Sequence, residues 1–571
     1  MQRMPIMTPF TSGTATTAPR IAAPMRRFVR HMIRRDEGSL AIFAMMLSLL
    51  MLMMGGIAVD LMRYESRRTT LQNTLDRSTL AAASMAQDLD SKEVVNDYFT
   101  KAGLHQYLTS VTVTQGINYK EVAADAVADT QPMFLQMLGI NEFDADGHSM
   151  AEQRINNVEI MLVLDVSGSM ASNSKLVNLK TAAKTFVSTV LSGDDEHRIS
   201  IGIVPFNGQV NLGTTLLSKY NATLPNGATN VNCVDLPTAA YGGVSLSNTL
   251  DLPMTADADT YSGTNATTSY LSYTDSNYAV PNPANKWCPP LAGNIVRLPS
   301  QTISTLQTQI DGLSAVGATS INAGMRWGLT LLDPDSRNMY TQLIASSDMV
   351  AGMAGRPFDF SDNDAMKVVV LMTDGEHFAE DRVTNDYKAG ASNIFKSSND
   401  GNYSIRFTSG RPACAGANQY FVPHLTASNA ACPFYQAAPW TNATSTGTAV
   451  EQTWPQVWSV MRLKYVAWHL YARGLGTDSS SRSLAYNNAV AAMRVQTATT
   501  VMDTQLQDVC SMAKDGGVIV YGIAFEAPTN GQAQIADCST GPAYYFNAQG
   551  LQITTAFSAI ASNISQLRLT Q

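Results

Sequence analysis

The apolar positions of this chain fall into two kinds of run. One is long: Gly38 to Val59 carries no charged residue. At 1.5 Å per residue a helix of that length reaches about 33 Å, enough to cross a bilayer core. The others are short and nearly continuous: the runs within Val158–Asp165, Arg198–Phe206, Lys367–Gly375 and Gly517–Phe525. Runs of this length predict strands buried on both faces. Helical periods lie between them. Ser174–Leu191 places Leu176, Leu179, Ala183, Phe186, Val187 and Val190 on one stripe. Ile303–Leu313, a segment ending at Leu332, an Ala-rich stretch at about 483–514 and Leu551–Leu567 read as further helices, and Tyr544–Phe546 as an edge strand. Short strands alternating with helices predict an α/β fold with a doubly wound, mostly parallel sheet.

The remaining segments set the organisation. Residues 1–37 form a basic tail and 38–59 a transmembrane signal anchor. Residues 60–107 form a helical stalk whose stripe, Leu71, Leu75, Leu80, Ala82, Met85 and Ala86, wants a cover. A partner helix, giving a helix-mediated oligomer, and the chain's own globular part are both open as that cover. Residues 108–155 suggest a small membrane-proximal α/β segment, with an alternating run at Leu108–Thr114 and an apolar patch at Pro132–Gly139. Asp144-Ala-Asp146-Gly reads as a turn. Residues 156–571 form the main domain. Its strand and helix pattern lapses at about 212–298 and 378–480, which read as two long loop-rich insertions.

Charge and cysteine content narrow the setting. Net charge is −8 and charged residues are 15% of the chain, which disfavours nucleic acid as a partner. Before the apolar run, Arg3, Arg20, Arg26, Arg27, Arg30, Arg34 and Arg35 are answered only by Asp36 and Glu37, which predicts an inside N-terminus and an outside C-terminus. Cys233, Cys288, Cys414, Cys432, Cys510 and Cys538 all follow the span, and no two make a C-x-x-C. An even number on one side of a membrane fits disulfides in an oxidising compartment, and neighbour pairing, 233–288, 414–432 and 510–538, is the expectation. Trp287, Trp327, Trp440, Trp454, Trp458 and Trp468 are core candidates.

The chemistry gathers at strand ends. The first short run stops at Asp165-Val-Ser167-Gly-Ser169, and a later one at Thr373-Asp374-Gly375. Ligands of open α/β sheets bind outside the carboxyl ends of strands. With Thr319 these residues offer five hard oxygen donors and no soft ones, a set suited to Mg²⁺ first and to Ca²⁺ or Mn²⁺ second. Two carboxylates would balance the ion's charge and leave a position for a partner's carboxylate. The sequence holds no G-x-S-x-G, H-E-x-x-H or G-x-x-x-x-G-K-[ST], so an enzyme is not expected. His377 reads as the start of a loop.

Asp165-x-Ser-x-Ser after a buried strand, Gly317-Ala-Thr319 before a helix and a strand ending Thr-Asp374-Gly together resemble the von Willebrand factor A domain. The resemblance implies a metal-ion-dependent adhesion site at Asp165, Ser167, Ser169, Thr319 and Asp374, the Ser and Thr oxygens binding the ion directly and the aspartates largely through water. The spans from Ser169 to Thr319 and from Asp374 to the last strand exceed those of the compact domain. Arg34-Arg-Asp-Glu-Gly38-Ser-Leu-Ala, the apolar span, Val59-Asp60-Leu and Leu71-Gln-Asn-Thr-Leu-Asp-Arg-Ser resemble TadG-like proteins of tight-adherence (Flp) pilus assembly. That likeness implies a single-pass protein of a bacterial inner membrane, its N-terminus cytoplasmic and its bulk periplasmic, with pilus-assembly proteins as partners. Position 43, five beyond Gly38, is Phe rather than the Glu of prepilin relatives, which argues against prepilin-type processing. A surface adhesin not needed for pilus assembly is the rival expectation.

Overall fold

Helix α1 runs from Gly38 to Ala82 without interruption, because no proline falls within it. Its first half is long and apolar enough to cross a membrane. The computed structural model describes residues 38–84, 89–115, 119–154, 157–192, 194, 197–261, 280–362, 364–423, 440–441 and 448–570. The basic tail, Met85, Ala86 and Cys432 therefore lie outside the described residues, and the expected 414–432 pair with them. The chain divides into two units, residues 1–153 and 154–571.

In the first unit the second half of α1 packs on helix α2 (Ser91–Lys101) and an antiparallel sheet of β1 (Leu108–Gln115), β2 (Tyr119–Thr130) and β3 (Phe143–Arg154). Val122, Ala124, Ala126, Ala128 and Ala145 are buried with Leu71, Leu75 and Ala82 in one cluster. The sheet face is built of small residues, so the helix can lie close. At Gly147 a Cβ would stand 2.6 Å from Leu75 Cδ1. Among the described stripe residues, the chain's own module provides the cover for Leu71, Leu75 and Ala82. Leu80 is 71% exposed, against expectation, because it points away from that sheet. Asp144 and Asp146 lie in β3 rather than in a turn, since Ala145 between them must reach the helix.

The second unit is organised around a six-stranded sheet. Its strands are β4 (Asn157–Asp165), β5 (Ile199–Phe206), β6 (Arg297–Ser300), β7 (Ala365–Thr373), β13 (Ile519–Phe525) and β14 (Tyr545–Ala548), in the order β14-β13-β7-β4-β5-β6. The first five in that order are parallel, and β6 is an antiparallel edge. The apolar runs are continuous because both faces are covered. Val158, Ile160, Leu162 and Leu164 enter one core with α3 (Lys175–Leu191) and α8 (Gln552–Thr570). Met161 and Val163 enter the other with α5 (Ile321–Leu332), α6 (Thr499–Asp515) and α7 (Thr529–Cys538). Helix α4 (Ile303–Asp311) packs beside α3 through Leu306 and Ile310.

Two expectations about the later chain are corrected. Residues 378–480 are not simply loop-rich. They hold an antiparallel sheet of β8 (Ala391–Ser397), β9 (Tyr403–Arg406), β10 (Tyr420–Phe421), β11 (Trp440–Thr441) and β12 (Ala449–Thr453), in the order β11-β10-β9-β8-β12, with its own core around Trp440, Trp454 and Trp458. These strands bury one face only, so no apolar run marks them. The stretch at 483–514 is not one helix. Helix Ser479–Met493 stops at a strand, Arg494–Thr497, which pairs with Glu380–Val383 before α6 begins. Disulfides join Cys233 to Cys288 and Cys510 to Cys538, as expected. Five of the six tryptophans are buried, and Trp468 is half-buried.

Candidate metal centre

Strand β4 is central: α3 carries the chain to β5 on one side, and the later chain returns to β7 on the other. Their carboxyl ends therefore flank a topological switch point, where open α/β sheets leave a crevice. Asp165 ends β4, and Asp374 follows β7. Both are buried. Asp374 Oδ1 accepts the Ser169 hydroxyl at 2.7 Å and faces that of Ser167 at 3.5 Å, and the two hydroxyls are 3.1 Å apart. Asp165 accepts the Ser167 backbone N–H at 2.7 Å and the Thr373 hydroxyl at 2.6 Å.

The Thr319 loop is tied to this group through the backbone. Gly168 N–H donates to the Gly317 carbonyl at 2.9 Å, and Val316 N–H to Val166 O at 2.9 Å. Thr319 O accepts from Phe378 N–H at 3.0 Å, just beyond Asp374. Gly317 holds φ +85°, a left-handed turn that glycine adopts freely. A Cβ on Gly375 would lie 3.5 Å from Thr319 Oγ1, so that hydroxyl borders the Asp374 turn. The structure thus brings the three sequence pieces into one crevice. Direct hydrogen bonds join Ser167, Ser169 and Asp374, while Thr319 is placed by its loop.

Burial, and after it the neighbouring Asp374 carboxylate, pushes the Asp165 carboxyl up, to about 7. A carboxylate in that position gains from any nearby cation. The donor set is oxygen only, with two carboxylates and three hydroxyls. Among the described residues no group of three or more His, Cys, Asp or Glu is disposed to hold a metal, so a cation here depends on the hydroxyls.

Several participants escaped the sequence reading. Lys175 Nζ donates to Asp374 Oδ2 at 3.0 Å and stands 3.8 Å from Glu526 Oε2. A signal existed: Lys175 opens α3, where the helix dipole disfavours a cation unless carboxylates face it. Glu526 leaves β13 at φ +53°, and its Oε1 accepts Gly550 N–H. His377 is buried in an irregular segment. Asn322 N–H at the start of α5 donates to its Nε2, so Nδ1 carries the proton toward Asp503, 2.7 Å away. Both ring nitrogens are thereby engaged, Nε2 with the start of α5 and Nδ1 with α6.

Residues 38–86 match the family model described as putative Flp pilus-assembly TadE/G-like. No curated protein matches the chain. Among solved structures, the von Willebrand factor domain of the type V pili tip protein Mfa5 from Porphyromonas gingivalis is similar at 11% identity. The match covers 73% of this chain and 98% of that one, with a TM-score of 0.31. The pilus adhesin SpaC from Lactobacillus rhamnosus GG, in its open conformation, is similar at 12% identity over 80% of this chain and 33% of its own, with a TM-score of 0.27. The chain therefore spans about a third of that adhesin. The pilus adhesin RrgA from Streptococcus pneumoniae shows 9% identity over 81% of this chain and 50% of its own, with a TM-score of 0.26. The likeness to the TadE/G-like Flp pilus-assembly family thus lies in residues 38–86, the stretch that holds the apolar span and the helix that follows it.

Proposed function

We propose that the chain is a membrane-anchored, extracytoplasmic protein-binding component of Flp/Tad pilus assembly. It docks partners through a divalent-metal site made by Asp165, Ser167, Ser169, Thr319 and Asp374, with Mg²⁺ the preferred ion and Ca²⁺ or Mn²⁺ accepted. The observation that carries the reading is the turning of both serine hydroxyls toward Asp374 Oδ1 beside the buried Asp165. When bound, the ion supplies a hard Lewis acid that a partner's carboxylate can ligate. Thr373 and the Ser167 backbone orient Asp165, and the Gly168–Gly317 bond holds the Thr319 loop against the serines. We read the role as binding rather than catalysis: His377, beside the crevice, spends both nitrogens on structure. The TadE/G-like segment supports the pilus-assembly setting, and the arginines before the span support a cytoplasmic N-terminus in the inner membrane.

Titration calorimetry with Mg²⁺ tests the site. Wild type should give saturable heat, and Asp165→Ala should weaken binding at least tenfold. No heat from folded wild-type protein ends the metal reading. Capture from crosslinked envelopes with wild type and Asp374→Ala tests docking: pilus-assembly proteins should be retained by the first and lost by the second. Intact pili in a deletion strain that loses only surface binding would favour an adhesin instead.

A further inference from the structure

The apolar patch at Pro132–Gly139 has no part in the metal centre, yet it is held with care. Asp60, the first charge after the apolar run of α1, accepts three successive backbone N–H groups. Met133 N donates to Oδ1 at 3.0 Å, and Phe134 N and Leu135 N donate to Oδ2 at 2.7 and 3.0 Å. A 3₁₀ turn, Leu135–Leu138, follows and closes at Gly139, whose φ of +86° ends it. Met137 N–H, Gly139 N–H and Ile140 N–H donate to carbonyls within the same segment. Six of the segment's backbone donors are thus met within the protein, as a low-dielectric setting requires.

The side chains go the other way. Met133 is 66% exposed, Met137 77% and Leu138 52%, with Phe134 and Ile140 also exposed. No charged residue occurs between Gln131 and Asn141. A contiguous apolar surface of this kind marks a binding face. Its position says to what. A Cβ built on Gly56 would overlap the Phe134 ring, so that ring lies on α1 one turn inside the apolar run. Gly56 is about 6 Å below Asp60 along the helix. The loop therefore lies beside the end of the span, at the depth where a bilayer surface would be.

We infer that residues 133–140 form an interfacial foot that inserts into the lipid boundary of the membrane crossed by α1, with Asp60 as the clasp that sets its depth. The inference rests on α1 spanning a membrane. Side chains of interfacial segments enter the headgroup and acyl boundary by ~5–10 Å, the reach that Met133, Phe134, Met137 and Leu138 offer here. The occupant of this surface is lipid rather than protein, because the patch is continuous with a segment that is itself lipid-facing. Two contacts make the foot rigid with the helix, so it fixes the tilt and height at which the first unit leaves the membrane.

The test uses the full chain in nanodiscs of phosphatidylethanolamine and phosphatidylglycerol, with or without doxyl-labelled lipid. Single cysteines carry an environment-sensitive nitrobenzoxadiazole label at Met137→Cys, Met51→Cys in the span, and Lys92→Cys. Lys92 adjoins Ser91, whose hydroxyl bonds Ala82 O, about 33 Å beyond Asp60 along α1. The described native cysteines are disulfide-bonded and do not compete for label. Labels at 137 and 51 should be quenched at least twofold by doxyl lipid, and the label at 92 should not. Asp60→Ala should release the label at 137 and leave that at 51 quenched. If 51 is quenched while 137 behaves like 92, the foot is refuted and the span stands. A blue-shifted but unquenched label at 137 means a protein cover and also refutes the foot. If 51 itself escapes quenching, the membrane span fails and the foot with it.

Discussion

Strands β4 and β7 carry ionic groups at both ends, and the two ends solve the same electrostatic problem differently. At the amino end Glu159 is buried against Lys367 Nζ at 2.6 Å and Arg356 at 3.5 Å, and it also accepts Phe358 N–H. Lys367 donates onward to Leu332 O, and Arg356 to the Ser200 hydroxyl and Arg198 O. One carboxylate there meets two cations, and every partner is spoken for. At the carboxyl end two carboxylates are buried, and the ammonium of Lys175 pairs with Asp374 alone of the two and also stands near Glu526. The first arrangement is closed and serves the fold. The second is short of positive charge, and that shortage is what the proposed cation would make good. A buried charge is tolerated only when compensated, by a proton on Asp165 or by a bound cation.

The comparison can be broken at its closed end first. Lys367→Met leaves Glu159 with one cation at longer range and removes the bond to Leu332 O. The expected loss is about 3–5 kcal/mol in denaturant unfolding of the second unit, as for other severed buried pairs. A loss under about 1 kcal/mol would show that the amino-end network does not hold the sheet.

Glu380 is a buried carboxylate outside the crevice, with Arg382 opposing the effect of its burial and Asp235 adding to it. It accepts from Gln209 and lies 3.5 Å from Arg382, yet burial pushes its carboxyl up to about 7. The folded state thus keeps a proton that the unfolded chain, near 4.5, has already released. Stability should fall as pH rises from about 4.5 to about 7, by at most on the order of 3 kcal/mol. Melting curves at pH 5 and pH 8 should show that decline, and Glu380→Gln should make it shallower, leaving the share that Asp165 contributes. An unchanged slope in the variant would assign the decline to other groups.

The smallest effect sharpens the open end. Lys175→Met removes the one ammonium on Asp374, so at pH 8 the crevice presents more negative charge to an ion. Mn²⁺ affinity read by electron paramagnetic resonance should tighten roughly tenfold, about 1.4 kcal/mol. Equal or weaker affinity would mean that Lys175 helps to build the site rather than to discharge it.

Much of this was legible in the residues. Continuous runs such as Val158–Leu164 announce strands covered on both faces, and their terminal aspartates announce where a crevice opens. Asp165, Ser167, Ser169 and Asp374 could be chosen because strand ends have a fixed meaning in parallel sheets, and Thr319 through the resemblance of Gly317-Ala-Thr319 to the von Willebrand factor A pattern. The antiparallel sheet at 391–453 was not legible. Ala391–Ser397 alternates buried and exposed positions with short polar side chains, so its hydrophobic signal is weak. The break at Arg494–Thr497 was hidden too, because it is a partner strand, Glu380–Val383, that turns those residues from helix to strand.

By itself the sequence determined the apolar span, the strand runs, two of the disulfide pairs and the oxygen chemistry of the crevice. Each of these follows from local composition and spacing, which a chain carries before it folds. The tertiary structure decided which residues compensate which. Lys175 on Asp374, Lys367 on Glu159, His377 under α5 and Asp60 beneath Met133–Leu135 pair positions that sequence distance does not relate. Charge compensation and burial depend on distances of a few ångströms, and only the packed sheets and helices set those.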